Sequence, residues 1–224
     1  MRADARPAAV LWDMDGTLVD TEPYWMATEV ALAEQHGTTW THDQAMQLVG
    51  SDLLVSGQII RDQMGLEMTP AEIVEYLLDG VTARVEKAVP WRPGARELLA
   101  ELAESGVPTA LVTMSYRRFV DPILLALRPL EFDAIVTGDA VARGKPFPDP
   151  YLEAARLLDV DPAACLAIED SVTGCDSAEA AGCVVLAVPC HVDVPPSPRR
   201  VLRESLAGLD VADLPGLMAE APSA

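Results

Sequence analysis

The chain has 224 residues, half of them hydrophobic, which is enough for one sizeable domain or for a domain carrying a smaller insertion. A formal net charge of -19 excludes nucleic acid and anionic membrane surfaces as partners, but screening over ~8 Å leaves a small anion open if a metal and a Lys or Arg sit at its site. No stretch is long enough to span a membrane, the apolar run after the charged first seven residues is too short for a signal sequence, and Cys165, Cys175, Cys183 and Cys190 lack metal-type spacing. Reduced thiols and a cytoplasmic location are therefore expected.

The first element is a strand, Val10-Leu11-Trp12, that ends in Asp13-Met14-Asp15-Gly16-Thr17. Residues i and i+2 of a strand share a face, so two carboxylates are held close together where Gly16 turns the chain. Like charges at about 4 Å repel by ~4 kcal/mol at an effective dielectric near 20, so the pair requires a cation, a shared proton or solvent. Asp20 or Thr21 can then cap a helix that has Pro23 in its first turn and Trp25, Val30 and Leu32 as its first apolar residues. Thr69-Pro70-Ala71-Glu72 has capping-box spacing, and Ile73, Val74, Leu77, Leu78, Val81 and Val85 follow at helical intervals. No strand is expected between about Glu22 and Ala88, where Gly37, Gly50 and Gly65 separate helical segments. An all-helical insertion over 22–88, within a core made of 1–21 and 89–224, is the simplest account.

After Pro90-Trp91-Arg92-Pro93-Gly94 the pattern alternates. A helix with Leu98, Leu99 and Leu102 stops at Gly106, and a strand runs from Pro108 to Thr113. A helix bearing Phe119, Val120, Leu124 and Leu125, kinked at Pro122, leads to a strand from Asp133 to Thr137. The loop Gly144-Lys145-Pro146-Phe147-Pro148 precedes a helix through Leu152 and Leu157. A strand Ala164 to Ile168, a helix ending near Gly182 and a strand Cys183 to Val188 complete the alternation, which implies a Rossmann-like parallel sheet with helices on both faces. The proline-rich stretch His191 to Arg200 reads as a surface loop, and one or two closing helices are expected after Val201.

Three apolar strands thus end in polar residues: Asp13, Thr113 and Glu169-Asp170. In a parallel sheet these ends share one edge, where open α/β sheets bind ligands. Four carboxylates gathered there cannot all stay ionised without compensation, and oxygen-only ligands beside Lys145 suit Mg²⁺ and a phosphate group.

On these motifs the chain resembles the haloacid dehalogenase-like hydrolases of the phosphatase type with a helical cap. Asp13-Met14-Asp15-Gly16-Thr17 matches the first motif of that family, Thr113 with Met114-Ser115 the second, Lys145 in Gly-Lys-Pro the third and Glu169-Asp170 the fourth, in the family's order from Ala8 to Val188. The resemblance implies that Asp13 is the nucleophile of an aspartyl-phosphate route and Asp15 the proton carrier. It also implies that Mg²⁺ is held by Asp13, the Asp15 carbonyl and Asp170, with Glu169 bound directly or one step removed. Thr113, Met114 and Lys145 would hold the phosphate, and Tyr24, Trp25, Gly50 and Ser51 lie where family caps reach over the site.

Asp15 argues against the dehalogenases, which have an aromatic residue there, and against the phosphonatases, which have Ala. Trp25 stands where sugar-phosphate mutases carry a His, which favours water as the final acceptor over a β-phosphoglucomutase-like transfer. A non-catalytic phosphate-binding protein is the third possibility. The resemblance implies a small phosphorylated metabolite, most naturally a sugar phosphate, as substrate and a monomer or small homo-oligomer as the working form. His36, His42 and His191 are expected to face solvent or to cap helices, and Met46, Met64 and Met68 to pack the insertion.

Overall fold

The computed structural model describes residues 6–49 and 51–221. Gly50, one of the expected substrate contacts, lies outside the described residues. Six strands form a single parallel sheet: β1 (Ala9–Trp12), β2 (Thr109–Val112), β3 (Ala134–Val136), β4 (Cys165–Glu169), β5 (Val184–Ala187) and β6 (Arg200–Leu202), in the order β3-β2-β1-β4-β5-β6. Strand β1 is central, with Leu11 paired to Ala110 of β2 and to Ala167 of β4. The chain leaves β1 for one side of the sheet and returns to the other at β4, so the carboxyl ends of these two strands flank the crevice of the fold.

The period-2 alternation of β1 sorts its side chains between two cores. Val10 and Trp12 join Leu166, Ile168 and Leu186 beneath helices α5 (Ala95–Ser105), α6 (Arg117–Leu127) and α9 (Leu214–Glu220). Ala9 and Leu11 join Cys165, Ala167 and Val185 beneath α7 (Asp149–Leu157) and α8 (Val172–Ala181). The second face is built largely from Ala and Cys, which lets its two helices approach the sheet closely. Both faces are covered, which is why each of the central strands is a short, wholly buried run that is apolar apart from Thr109 and Glu169.

Between β1 and α5 the described chain is helical throughout: α1 (Glu22–Gln35), α2 (His42–Met46), α3 (Leu53–Met64) and α4 (Pro70–Val85). These helices have a core of their own in which Leu32, Trp40, Ile60, Ile73 and Leu77 are buried, with Met64 and Met68 packed among them. The capping box at Thr69 and Glu72 forms, and all six apolar positions anticipated on α4 are buried. Trp25 crosses from α1 to meet Phe119 of α6 edge to face, ring centroids 5.4 Å apart. Arg118 of α6 binds Glu75 and Asp79 of α4, so helix α6 carries the contact between the insertion and the sheet layer.

One local expectation, the loop up to Arg200, needs correction. The stretch read as a loop up to Arg200 runs into strand β6, whose Arg200 is buried. Arg200 satisfies its charge on Glu179 at 2.9 Å and Asp176 at 3.0 Å, and a buried arginine in a three-residue strand gives no strand pattern to read. Leu152 and Leu157 of α7 are exposed while Tyr151, Ala154 and Ala155 face inward, because a thin helix–sheet layer selects small residues. Leu125 and Val30 also lie on outer faces. Among the described residues one helix, α9, follows Val201.

Candidate active site

Every strand end named from the sequence arrives at one cavity of about 150 Å³ between the sheet edge and the helical insertion. Asp13 follows β1 directly, and its backbone N–H donates to the Ile168 carbonyl of β4 at 3.0 Å, extending the ladder by one residue. The chain then turns through Gly16 at φ 91°, in the left-handed region, and a Cβ there would lie 2.0 Å from the Asp170 carboxylate. Glycine at this position therefore lets the Asp170 carboxylate come alongside the Asp13-Asp15 turn.

The Lys145 ammonium donates to Asp13 Oδ1 at 2.7 Å, to Glu169 Oε1 at 2.6 Å and to the Val112 carbonyl at 2.9 Å. Burial alone would lower its pKa; the Asp13 and Glu169 charges reverse that and hold the ammonium above its usual range. Glu169 is fully engaged. Its Oε1 also accepts from Tyr151 at 2.6 Å, and its Oε2 accepts from the Asp170 backbone at 3.3 Å and from Ser171 at 3.4 Å. A Cβ on Gly174 would sit 2.0 Å from this carboxyl group, so helix α8 can pack against it only with glycine there.

Asp13 keeps one oxygen free. Its Oδ2 is buried and has no hydrogen-bond partner among the described residues. Burial pushes the Asp13 carboxyl pKa upward, and Lys145 opposes the shift. Burial, followed by the neighbouring Asp13 and Glu169 charges, drives Asp170 up to about 9. A buried carboxylate oxygen without a partner, beside a second carboxyl group that resists ionisation, is a site short of positive charge. Carboxylate oxygens of Asp13, Glu169 and Asp170 lie within 4.8 Å of one another. An all-oxygen donor set of this kind fits a hard divalent cation such as Mg²⁺.

Asp15 has different surroundings. Thr21 donates to its Oδ1 and Ser115 to its Oδ2, the latter at 2.7 Å, and burial raises its pKa. Thr21 occupies the N-cap position of α1, yet its side chain does not cap the helix. The hydroxyl expected to close the helix end is spent on Asp15 instead. Ser115, on the turn after β2, is oriented by its own N–H donating to Thr113 Oγ1 at 3.0 Å. Thr113 and Met114 also line the cavity, and Met114 Sδ accepts from the Lys145 backbone N–H at 3.2 Å.

On the insertion side, Trp25 and Ser51 line the cavity. Tyr24 is not brought to it: its hydroxyl donates to the Ala88 carbonyl at 3.1 Å, and its ring packs on the larger core, because it lies one residue round the helix from Trp25. Glu22 and Glu29 also line the cavity, as do Ser56, Leu53 and Leu77, none of which the sequence reading singled out. The signal was present, since positions 22, 25 and 29 follow the i, i+3, i+7 spacing of one helical face. His191, expected to face solvent or cap a helix, lines the cavity too, with its Nε2 2.7 Å from Asp20 Oδ1. Asp20, Cys190 and His191 lie within 4.8 Å of one another as well, but these three are only partly buried. Among the described residues no helix is long and apolar enough to cross a membrane, and all four cysteines are free.

Comparison with known proteins agrees with this geometry. Residues 7–182 match the family model described as haloacid dehalogenase-like hydrolase. Hexitol phosphatase B of Escherichia coli K12 is 31% identical over 216 residues, covering 93% of this chain and 96% of that protein. The bifunctional riboflavin kinase/FMN phosphatase of Arabidopsis thaliana is 34% identical over 184 residues, 81% of this chain but 48% of that longer protein. Among solved structures, CbbY of Rhodobacter sphaeroides in complex with xylulose-(1,5)bisphosphate superposes with a TM-score of 0.80 at 27% identity, covering 93% of this chain and 99% of that one.

Proposed function

The chain belongs to the haloacid dehalogenase-like hydrolases, and from that premise we propose that it is a Mg²⁺-dependent phosphomonoesterase acting on a small sugar or polyol phosphate through an aspartyl-phosphate. One observation carries the reading: Asp13, at the end of the central strand, has one oxygen held by Lys145 and the other buried and unpartnered. Oδ2 is the oxygen available to attack phosphorus, while the bond from Lys145 to Oδ1 fixes the direction of approach.

Asp15 is suited to the second role. Burial raises its carboxyl pKa, and Thr21 and Ser115 hold it in place to protonate the leaving alcohol and then to take a proton from water. Thr113, Met114 and the turn that follows would present donors to the phosphate oxygens, with Lys145 offsetting the charge that gathers on them. Asp13, Asp170 and the Asp15 carbonyl would hold the metal, which when bound supplies positive charge to the phosphate and to the crowded carboxylates. Glu169, with both oxygens engaged, positions Lys145 and leaves the metal to its neighbours. Helices α1–α4 act as a cap that closes over the substrate and excludes bulk water.

Hexitol phosphatase B supports the sugar or polyol phosphate as substrate class. The four free thiols agree with a reducing cytoplasm as its place of work. Asp13→Asn tests the mechanism, because the amide is isosteric and a poor nucleophile. Phosphate release from p-nitrophenyl phosphate and from a panel of sugar phosphates should cease, with an unchanged circular dichroism spectrum. Substantial residual turnover in a folded variant would rule out Asp13 as nucleophile. Conversion of a sugar 1-phosphate to the 6-phosphate without free phosphate would replace hydrolysis by transfer.

A further inference from the structure

The insertion side of the cavity carries a feature that phosphate chemistry does not require. Glu22 and Glu29 both face it from α1, about 10 Å apart along the helix axis at 1.5 Å per residue. Trp25 lies between them on the same face. Glu29 is held in place, its Oε2 accepting from the Trp40 indole N–H at 2.8 Å. Its Oε1 and the whole Glu22 carboxyl group make no hydrogen bond or ion pair among the described residues. Two acids in a cavity meant for an anionic substrate raise the local cost of any further negative charge.

Among the described residues no free cation lines the cavity to relieve it. The basic side chains that line the cavity are Lys145 and His191. Lys145 is taken up by Asp13 and Glu169, and His191 by Asp20. Ser51 and Ser56 add neutral hydroxyls, and Leu53 and Leu77 an apolar wall. Hydroxyl groups of a ligand can donate to the unpartnered carboxyl oxygens, whereas a second phosphate or a carboxylate would meet them with no counter-charge.

We infer that Glu22 and Glu29 form a charge filter: the site takes phosphomonoesters whose other end is neutral and hydroxyl-bearing, and rejects those with a second anionic group. The filter rests on the phosphomonoesterase reading above. A bisphosphate, such as the one in the solved CbbY complex, is the kind of ligand it would reject. Burial, with repulsion from the acids around it, pushes Glu22 up to about 8, and burial raises Glu29 to about 7. Both groups are therefore largely neutral below about pH 7 and carry their charges above about pH 8, so the filter acts at alkaline pH and fades as the pH falls.

The test compares kcat/KM for fructose 6-phosphate and fructose 1,6-bisphosphate at pH 9, where both acids are ionised, with Mg²⁺ present, and uses p-nitrophenyl phosphate as a probe of the chemistry alone. The wild type should favour the monophosphate by at least about tenfold, equivalent to about 1.4 kcal/mol. In the Glu22→Gln, Glu29→Gln double variant that preference should shrink by about tenfold, and in the charge-keeping Glu22→Asp, Glu29→Asp pair it should persist. The single Glu22→Gln variant, which leaves the Trp40 contact intact, should shift the preference in the same direction if the double variant fails to fold. Equal use of both sugars by the wild type, or an unchanged preference in the Gln variants while p-nitrophenyl phosphate is still hydrolysed, would overturn the filter alone. Absence of p-nitrophenyl phosphate turnover in the wild type would overturn the phosphatase reading and the filter with it.

Discussion

Lys145→Met removes the one ammonium that touches both Asp13 and Glu169 and keeps a flexible stem of similar reach in its place. At 2.6–2.7 Å each contact has a gross Coulomb energy of about 6 kcal/mol at an effective dielectric of 20. Dehydration of the three buried groups cancels most of that, so the gross figure is not the loss. The relevant quantity is the cost of leaving two buried carboxylates without their partner, about 3–5 kcal/mol when one member of a buried pair is removed. For a chain of this length each kcal/mol corresponds to about 2–4 °C in Tm, which gives a fall of about 6–20 °C. The variant should be unfolded by heat in EDTA and again in Mg²⁺, with far-UV circular dichroism as the readout. Mg²⁺ should recover part of the loss, because a divalent ion held by Asp13 and Asp170 returns positive charge to the same cluster, while phosphate release stays low. A metal-free Lys145→Met variant melting within 2 °C of wild type would refute the claim that Lys145 compensates these carboxylates.

Two further outcomes follow from the same cluster. Gly16→Ala forces a side chain into the left-handed region at about 1–2 kcal/mol and sets its Cβ 2.0 Å from the Asp170 carboxylate; calorimetric Mg²⁺ titration should show at least about tenfold weaker binding, and wild-type affinity would contradict the proposed ligand role of Asp170. The second is a pH dependence of the metal-free protein. Asp170, Glu22 and Glu29 have folded-state values of about 9, 8 and 7, above the roughly 4 of an unfolded carboxyl group. Between those limits the folded state binds protons that the unfolded chain has released, so stability falls as pH rises from about 5 to about 9. The urea midpoint in EDTA should be lower at pH 9 than at pH 6, and the opposite order would contradict the burial of these acids.

What was legible in the sequence was whatever repeats locally or sits at the end of a strong local pattern. The apolar runs ending in Asp13, Thr113 and Glu169 could be read because a strand buried on both faces is a continuous apolar word, and its end is abrupt. The heptad-like face of α4 and its capping box were legible for the same reason. The misses are tertiary. His191 meets Asp20 across 171 positions of the chain, and no local pattern brings those two together. Tyr151 carries no inward signal in the local pattern of its helix; it faces inward because its hydroxyl has Glu169 to bond and its neighbours Ala154 and Ala155 are small enough for the layer. Strand β6 escaped notice because its buried Arg200 finds its partners on α8, more than 20 residues earlier.

The pair Asp13 and Asp15 shows how two identical side chains two residues apart come to hold unequal positions. Asp13 faces a cation on one oxygen, and among the described residues its other oxygen, Oδ2, has no hydrogen-bond partner. Asp15 faces two hydroxyls, so both of its oxygens are held, and no ammonium contacts it. Environment, more than residue type, separates the proposed nucleophile from the proposed proton carrier. One of the two hydroxyls, Thr21, stands at the first turn of α1, the helix that also carries Glu22, Trp25 and Glu29 into the cavity. A rotation of α1 that moved the acids of the charge filter away from the substrate would also draw Thr21 from Asp15. In the proposed mechanism, the orientation of the proton carrier and the seating of helix α1 over the substrate would in this way depend on the same few residues at the start of one helix.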